Sequence, residues 1–551
     1  MFELKKYKLP SSTKIAGKIY PVMQRKVNVA SFNIYDYETI FNDEATKKII
    51  REGNTIGCFY IESPGMRSLL KKLNCDTFEM LTAASSVIRP GVAESGMMQE
   101  FIARHKNPAL RKYLVPAMEK YLSETYGVMI YQEDVIKIVH HIAGLSLEEA
   151  DLLRRAMSGK MRSHKAMAAL QSRFENSCRQ KGLTKYVTKK LWEQIASFAG
   201  YAFSKAHSAS YAVLSFQIAY LKAHYPAEFM ANVLNNGGGF YSAGVYINEI
   251  KRMGIKILLP SINNSLPEYT GKNKTIRMGL NSIKNFTRTN IIKIINERKK
   301  HGKYLSLIEF LIRTEIEFLQ VRLLIKCGAM DCLKQTRPTL MRLLDVYSFH
   351  KKILFNKETN LFPGEMFRLG EEVITNKQYS IEEICSAEYE AFGFMVSRHP
   401  LEFYKNIIDL PYIVKAADIY KYPNQKIKLI GWLMASKRIR TKKGKIMKFL
   451  SLEDLSGTFE AVIFPQAYEK FAELTMSMGP YLVEGKADLE NGNNIIVEQL
   501  QVISGKEALV KSQKDSAEDK YSGDKETVWE EEFSIVKKLG KEKLRHAYVG
   551  V

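Results

Sequence analysis

Apolar positions recur at spacings of three and four through much of the first half of the chain, and this period predicts helices. In LEEADLLRRAMSG, Leu147, Ala150, Leu153 and Met157 keep that spacing. SYAVLSFQIAYLKAHY reads as a mostly apolar, buried helix. NDEATKKIIREGN predicts a helix capped by Asn42 and closed at Gly53, and Gly237, Gly238 and Gly239 mark a break. The first fifty residues lack the period. SSTKIAGKIY and VNVASFNIYDYETI read as loops and short strands, with helical text beginning near Thr39.

The second half changes character twice. ILLPSINNS and TIRMGLNSI predict short strands, followed by helices at IIKIINERKK, SLIEFLIR and LQVRLLIKCGAM. The 346–400 stretch mixes helix and loop. Beyond Pro411, from Lys426 to Ser504, the pattern alternates in five runs: KIKLIGWLMASKRIR, KIMKFLSLEDL, TFEAVIFPQ, GPYLVEGKADL and NNIIVEQLQVIS. Five such runs with Gly/Asn turns predict a small antiparallel barrel, and an OB-fold fits the count. A mixed-charge, Ser-rich linker follows from Lys506, then a short helix near WEEEFSIVKKLGKEKL. The expected fold class is multidomain α+β, mainly helical first and ending in a small β-barrel.

Composition narrows this. The 551 residues leave room for about three or four domains. With 46% apolar residues, wholesale disorder is excluded. No apolar run approaches the roughly 20 residues that span a bilayer, and the polar start MFELKKYKLPSSTK is unlike a secretory signal. Cys58, Cys75, Cys178, Cys327, Cys332 and Cys385 are scattered without a C-x-x-C pair. This argues against a disulfide framework or zinc site and for the reducing cytoplasm. The expectation is a cytoplasmic protein with no membrane partner.

The net charge of +23 is unevenly placed. Between Asp151 and Tyr225, thirteen basic side chains face three acidic ones. Solvated helix faces mix both signs, so this block points to a polyphosphate or nucleic-acid partner. RRAMSGKMR lies inside it but lacks P-loop spacing. In AGYAFSKAHSASYAV, helical spacing puts Ser204, His207 and Ser208 on one face, with Tyr211 beyond and Lys205 beside them. A donor-rich helix start suits a triphosphate, while a capping cluster with a core histidine is the alternative. His140 and His141 fall in a helical run and read as packed or surface groups.

Five ordered motifs carry a family resemblance: GCFYIESPGM, VIRPGVAESGMM, ETYGVMIYQEDVIKI, GLSLEEADLLRRAMSGK and FAGYAFSKAHSASYAVLSFQIAYLKAHYPAEFM. They are similar to the C-family replicative polymerases, the alpha subunits of bacterial DNA polymerase III. The resemblance covers about residues 40–505. It implies an N-terminal segment at the edge of a palm (1–50), fingers (51–260), a helix-hairpin-helix region with linker (261–400), an OB-fold (401–505) and a charged tail (506–551).

What the resemblance implies about residues follows. Ser204, Lys205, His207 and Ser208 would lie near an incoming dNTP. Arg89, Gly91, Tyr131, Gln132, Glu133, Arg154, Arg155 and Lys160 would line the nucleotide or template path. The hairpin turn reads Lys284, Asn285, Phe286, Thr287, without the usual glycine. Lys437, Arg438, Arg440, Lys442 and Lys443 would form a basic edge on the OB-fold for single-stranded template. ETNLF, with Leu361 and Phe362, and PGEMF are candidate sliding-clamp peptides.

The implied reaction is dNMP addition to a primer 3′-OH on primer–template DNA during replication, with Mg2+ held by palm carboxylates. No D-x-D occurs; Asp36-Tyr37-Glu38 is the nearest sequence, and no PHP domain is recognisable. No catalytic or metal-binding residue is therefore expected in this chain. Its partners would include other replicase subunits or an N-terminal polymerase half. A split subunit, a truncated product and a decayed copy stay open, as does a non-catalytic DNA-binding or clamp-interacting fragment.

Overall fold

The computed structural model describes the strands Ser12–Ile15 and Lys18–Pro21 and residues 33–88, 96–156, 164–199, 203–349, 374–441, 443–489 and 494–503. The two strands, β1 and β2, form an antiparallel hairpin. The helical text that follows begins at α1 (Tyr37–Asn42), capped by Asp36, and continues in α2 (Glu44–Arg51). The α2 cap is Asp43, whose carboxylate accepts from the Thr46 N–H and hydroxyl, rather than the expected Asn42. An aspartate one residue on caps equally well and leaves Asn42 to close α1.

Helices α3 (Pro64–Lys72), α4 (Phe78–Val87), α5 (Met97–Lys106), α6 (Gln132–His141), α7 (Leu147–Arg155), α8 (His164–Gln180), α9 (Lys185–Ala199) and α10 (Lys205–His224) complete the first unit. They share one apolar core. In α7, Ala150 and Leu153 are buried, whereas Leu147 is exposed and Met157 lies outside the described residues. The α10 stripe that faces the core is Ser208, Ala212, Ser215, Phe216, Ala219 and Lys222. Half of it is polar, which the apolar reading of this helix missed. Small side chains on both helices let α10 settle on α4, where Ser86 and Ser208 hydroxyls meet at 2.6 Å.

The chain continues through α11 (Pro226–Asn236), which the glycine triplet ends, and α12 (Ala243–Arg252). A three-stranded sheet follows: β3 (Lys256–Leu258), β4 (Thr270–Lys272) and β5 (Thr275–Arg277), in the order β3-β5-β4. Then come α13 (Arg288–His301), α14 (Leu307–Thr314), α15 (Phe318–Lys326), α16 (Arg337–Phe349) and α17 (Ile381–Phe392), around a second core.

Among the turns here with left-handed backbone are those at Asn285 and Gly328. At the glycine-free turn, Asn285 supplies it with φ +60°, a conformation asparagine tolerates. Between α15 and α16, Gly328 (φ +79°) supplies it, and a Cβ there would stand 2.2 Å from an Arg337 guanidinium nitrogen.

The last unit is a closed five-stranded barrel, β6 (Lys426–Arg440), β7 (Ile446–Glu453), β8 (Thr458–Ile463), β9 (Tyr481–Asp488) and β10 (Asn494–Val502), ordered β10-β8-β7-β6-β9. The helix α18 (Pro465–Phe471) links β8 to β9. The barrel is not wholly antiparallel, because β10 closes it by pairing in parallel with β8. Alternate residues such as Leu429, Leu450, Leu452, Ala461, Val483 and Ile495 fill its interior.

A buried polar chain ties this barrel to the helices. Lys222 donates to the Asn54 and Ile56 carbonyls and to Glu249, each at 2.8 Å, so all three ammonium protons are used. Glu249 also pairs with Arg252 at 3.2 Å, and Arg252 reaches Glu453 of β7 at 2.7 Å. Asn248 donates to the same Glu453 carboxylate at 2.8 Å. Burial alone would raise the Glu249 carboxyl, but Lys222 and Arg252 hold it down to about 2.

Candidate nucleotide and nucleic-acid interface

The start of α10 is assembled from distant segments. A parallel bridge joins Tyr131 to Phe203, with the Gln132 N–H donating to the Phe203 carbonyl at 2.9 Å. This sets the beginning of α6 against the beginning of α10. Buried Asp134 folds back to accept from the Ile130 and Tyr131 N–H groups, both at 3.0 Å, and fixes the turn. Burial pushes its carboxyl up to about 7 against those two bonds.

Ser204 occupies the N-cap position of α10, yet its own hydroxyl caps nothing. Glu133 takes over, accepting from the Ser204 hydroxyl at 3.3 Å and the Lys205 N–H at 3.0 Å. The Lys205 ammonium is 2.6 Å from Glu124 and 5.3 Å from the centre of the Tyr131 ring. Tyr131 is buried with its hydroxyl unpartnered. Arg154 donates to the Gln132 side chain at 3.0 Å and pairs with Asp151 at 2.7 Å, while the more exposed Arg155 holds the other Asp151 oxygen. The Arg154 hydrogen bond, against some burial and with Arg155 adding to it, keeps the Asp151 carboxyl below its ordinary range.

Ser204, Lys205, Tyr131, Gln132, Glu133 and Arg154 are therefore brought together, with Arg155 one position beyond Arg154. His207 is exposed and stands edge-on between Phe203 (4.8 Å) and Tyr211 (4.7 Å). Tyr211 stacks on Tyr60 at 4.5 Å, and Tyr60 holds a left-handed backbone (φ +71°). Ser208 turns away from this group into the helix contact with Ser86, so its hydroxyl is committed to packing. Arg89, Gly91 and Lys160 lie outside the described residues.

Chemically, a helix N-terminus, an ammonium and two guanidinium groups make a seat for an anion. Glu133 and Glu124 fill its strongest donors. Glu124 was not singled out by sequence, since nothing local signals that a glutamate will pair with a lysine 81 positions away. His140 is half-buried and bonded to the Leu145 carbonyl at 2.7 Å, and His141 is exposed, its ring stacked on Tyr121. Asp36 spends its carboxylate as a cap. Among the described residues, no three His, Cys, Asp or Glu side chains converge in a metal-binding group.

On the barrel, the end of β6 and the turn after it form an exposed ribbon edge, while Met447 and Lys448 of β7 beside it are buried. Lys437, Arg438, Arg440 and Lys443 are exposed along it, and Lys442 lies outside the described residues. Strand alternation splits them, because Lys437 points to one face while Arg438 and Arg440 share the other. The clamp-peptide residues Leu361 and Phe362 also lie outside the described residues. No described helix is long and apolar enough to cross a membrane.

A helical unit, a second helical region with left-handed turns and a closed five-stranded barrel define a multidomain α+β protein. Comparison with known proteins specifies which kind. Residues 21–182 match the bacterial DNA polymerase III alpha subunit finger domain, residues 254–340 a helix-hairpin-helix motif and residues 427–503 an OB-fold nucleic acid binding domain. The chain is 34% identical over 474 residues to DNA polymerase III subunit alpha of Borreliella burgdorferi, covering 83% of this chain and 41% of that one. The corresponding protein of Staphylococcus aureus is 33% identical (85% and 44% covered), and that of Campylobacter jejuni 36% identical (80% and 38% covered). The chain belongs to the DNA polymerase III alpha subunit family. It spans less than half the length of these relatives.

Proposed function

We propose that the chain provides the incoming-dNTP and DNA contacts of a DNA-directed DNA polymerase working in chromosomal replication. The observation that carries this reading is the convergence of Ser204, Lys205 and His207 at the start of α10 with Tyr131, Gln132 and Arg154. The triphosphate would exchange with Glu133 and Glu124 for the helix N-terminus and the Lys205 ammonium, and His207 and Tyr211 would flank the nucleoside. The barrel ribbon would hold template strand by phosphate contacts. Mg2+ carboxylates would come from outside the described residues, on a polymerase palm. Primer–template DNA, dNTP, a sliding clamp and other replicase subunits are the partners this role calls for, in the cytoplasm.

The test is the double variant Lys205→Ala/His207→Ala. Loss of dNTP binding with DNA binding nearly intact is expected; the reverse would overturn the nucleotide-site assignment. Purified chain is expected to extend no primer alone and to do so when a palm-bearing polymerase half is added. Failure of that addition to restore extension would count against the polymerase role.

A further inference from the structure

The two ends of β6 are both basic and are answered differently. At its start, Lys426 pairs with Glu484 and Glu498, both at 2.9 Å, and Lys428 pairs with Glu484 at 3.2 Å. At its far end Arg438 and Arg440 are exposed, and among the described residues no carboxylate forms an ion pair with either, although Lys445 beyond the turn takes Glu469 at 3.5 Å. Ladder pairing sets Arg438 opposite Lys448 and Arg440 opposite Ile446, so both arginines share the face of Lys448. The Lys448 ammonium donates to the Thr475 carbonyl at 2.8 Å, which brings the 474–478 segment onto that face. Leu474, Met476 and Met478 of this segment are exposed. An apolar strip therefore lies beside a cationic edge that the described residues leave unanswered.

The chain itself holds a segment of complementary character. Residues 504–551 lie outside the described residues, and charge is segregated along them. Residues 515–533 carry eight carboxylates against two lysines, in a chain of net charge +23. This run ends in Trp529, Glu530, Glu531, Glu532 and Phe533, three carboxylates between two aromatic rings. Its attachment point is near the arginines. Ile503 packs with Ile430 and Trp432 of β6. From Trp432 to Arg438 is about 20 Å of strand. The 25 residues between Ile503 and Trp529 can bridge up to about 85 Å, so the distance is easily covered.

We propose that residues 529–533 dock on this edge of their own barrel, with the rings of Trp529 and Phe533 on Leu474, Met476 and Met478 and the three carboxylates on Arg438 and Arg440. The tether makes the contact intramolecular, so individually weak ion pairs suffice to hold it. The docked segment occupies the arginines to which the proposed template role gives phosphates, and so competes with the strand in cis. That consequence rests on the template role; the docking does not.

The experiment has two arms, both on the whole chain. Carbodiimide, which joins a carboxylate to a lysine in contact with it, reads the docking without nucleic acid. Cross-links from Glu530, Glu531 or Glu532 to Lys443 or Lys445 within one chain are expected, at a yield independent of protein concentration and lowered in Arg438→Gln/Arg440→Gln. Links between chains only would overturn the docking in favour of a second copy, and links to other basic surfaces, or none, would overturn it outright. The second arm measures binding of labelled oligo-dT. Glu530→Gln/Glu531→Gln/Glu532→Gln is expected to tighten it about five-fold at low salt, and to have no effect in the Arg438→Gln/Arg440→Gln background. Glu507→Gln/Glu542→Gln, which removes tail carboxylates outside the acidic run, is expected to stay within about two-fold. Cross-links with unchanged oligo-dT affinity keep the docking and overturn the competition, and with it the template role of this edge. Tightening without cross-links overturns the docking and leaves only a general effect of charge. A gain of affinity cannot come from a failing fold.

Discussion

Replacing Arg252 with Met keeps most of the side chain's volume and removes its charge, and the consequences follow from the two carboxylates it touches. Glu453 would keep only Asn248 as a close hydrogen-bond donor, with His399 Nε2 at 3.6 Å. Glu249 would keep Lys222. Taking one partner from a buried ion pair costs about 3–5 kcal/mol, because the other charge stays behind desolvated. A second route gives a similar size. Holding the Glu249 carboxyl at about 2 instead of 4.5 corresponds to roughly 3 kcal/mol, shared between Lys222 and Arg252.

Hydrogen exchange of β7 and α12 is the assay, since it reads local opening without requiring a two-state transition of a multidomain chain. Protection should fall by about 3 kcal/mol in Arg252→Met, and Arg252→Met/Glu453→Gln should recover part of it. The sign of the pH effect is also set. A depressed carboxyl contributes stability that is complete above its ordinary 4.5 and is lost as the pH falls from there toward 2. Wild-type protection in these elements should decline across that window. If Arg252→Met stays within about 1 kcal/mol of wild type, the buried chain is not what holds the barrel to the helices.

Four other outcomes are expected. Glu133→Gln keeps an acceptor for the Ser204 and Lys205 donors but removes the competing charge, so dNTP affinity measured by equilibrium binding should rise several-fold. Asn285→Gly should change the melting midpoint little, because relief of left-handed strain offsets added chain entropy. Gly328→Ala should destabilise by about 1–3 kcal/mol in denaturant titration, since its φ is unfavourable and its Cβ collides with Arg337. Oligonucleotide affinity should fall steeply between about 50 and 200 mM salt, and a flat response would argue against phosphate contacts on the ribbon.

The elements were largely legible because their signals are local. Period two through β6–β10 and period three-to-four through α7 and α10 follow from which face each residue buries. Registers of cap and turn were less so: Asp43 displaced Asn42 by one position, and Asn285 did what glycine was expected to do. The candidate site was legible as a cluster at Ser204 to His207, but Ser208 could not be separated from it by spacing alone. Its burial depends on α4 offering Ser86 at one point of contact. Arg252 with Glu453, Lys205 with Glu124 and Arg67 with Thr458 join residues 201, 81 and 391 positions apart, and no local pattern encodes such pairings.

Helix α10 has one end in each of two networks. Lys205 opens it beside Glu133 and Tyr131, and Lys222, near its close, is pinned to the ionic chain that ends on the barrel. Twenty residues of helix form a strut about 30 Å long. Buried along its length and bonded to α4 at Ser208, this strut cannot pivot at one end alone. It therefore holds the Ser204 tip at a fixed distance from the ionic chain that ends on the barrel, so the two networks share one ruler.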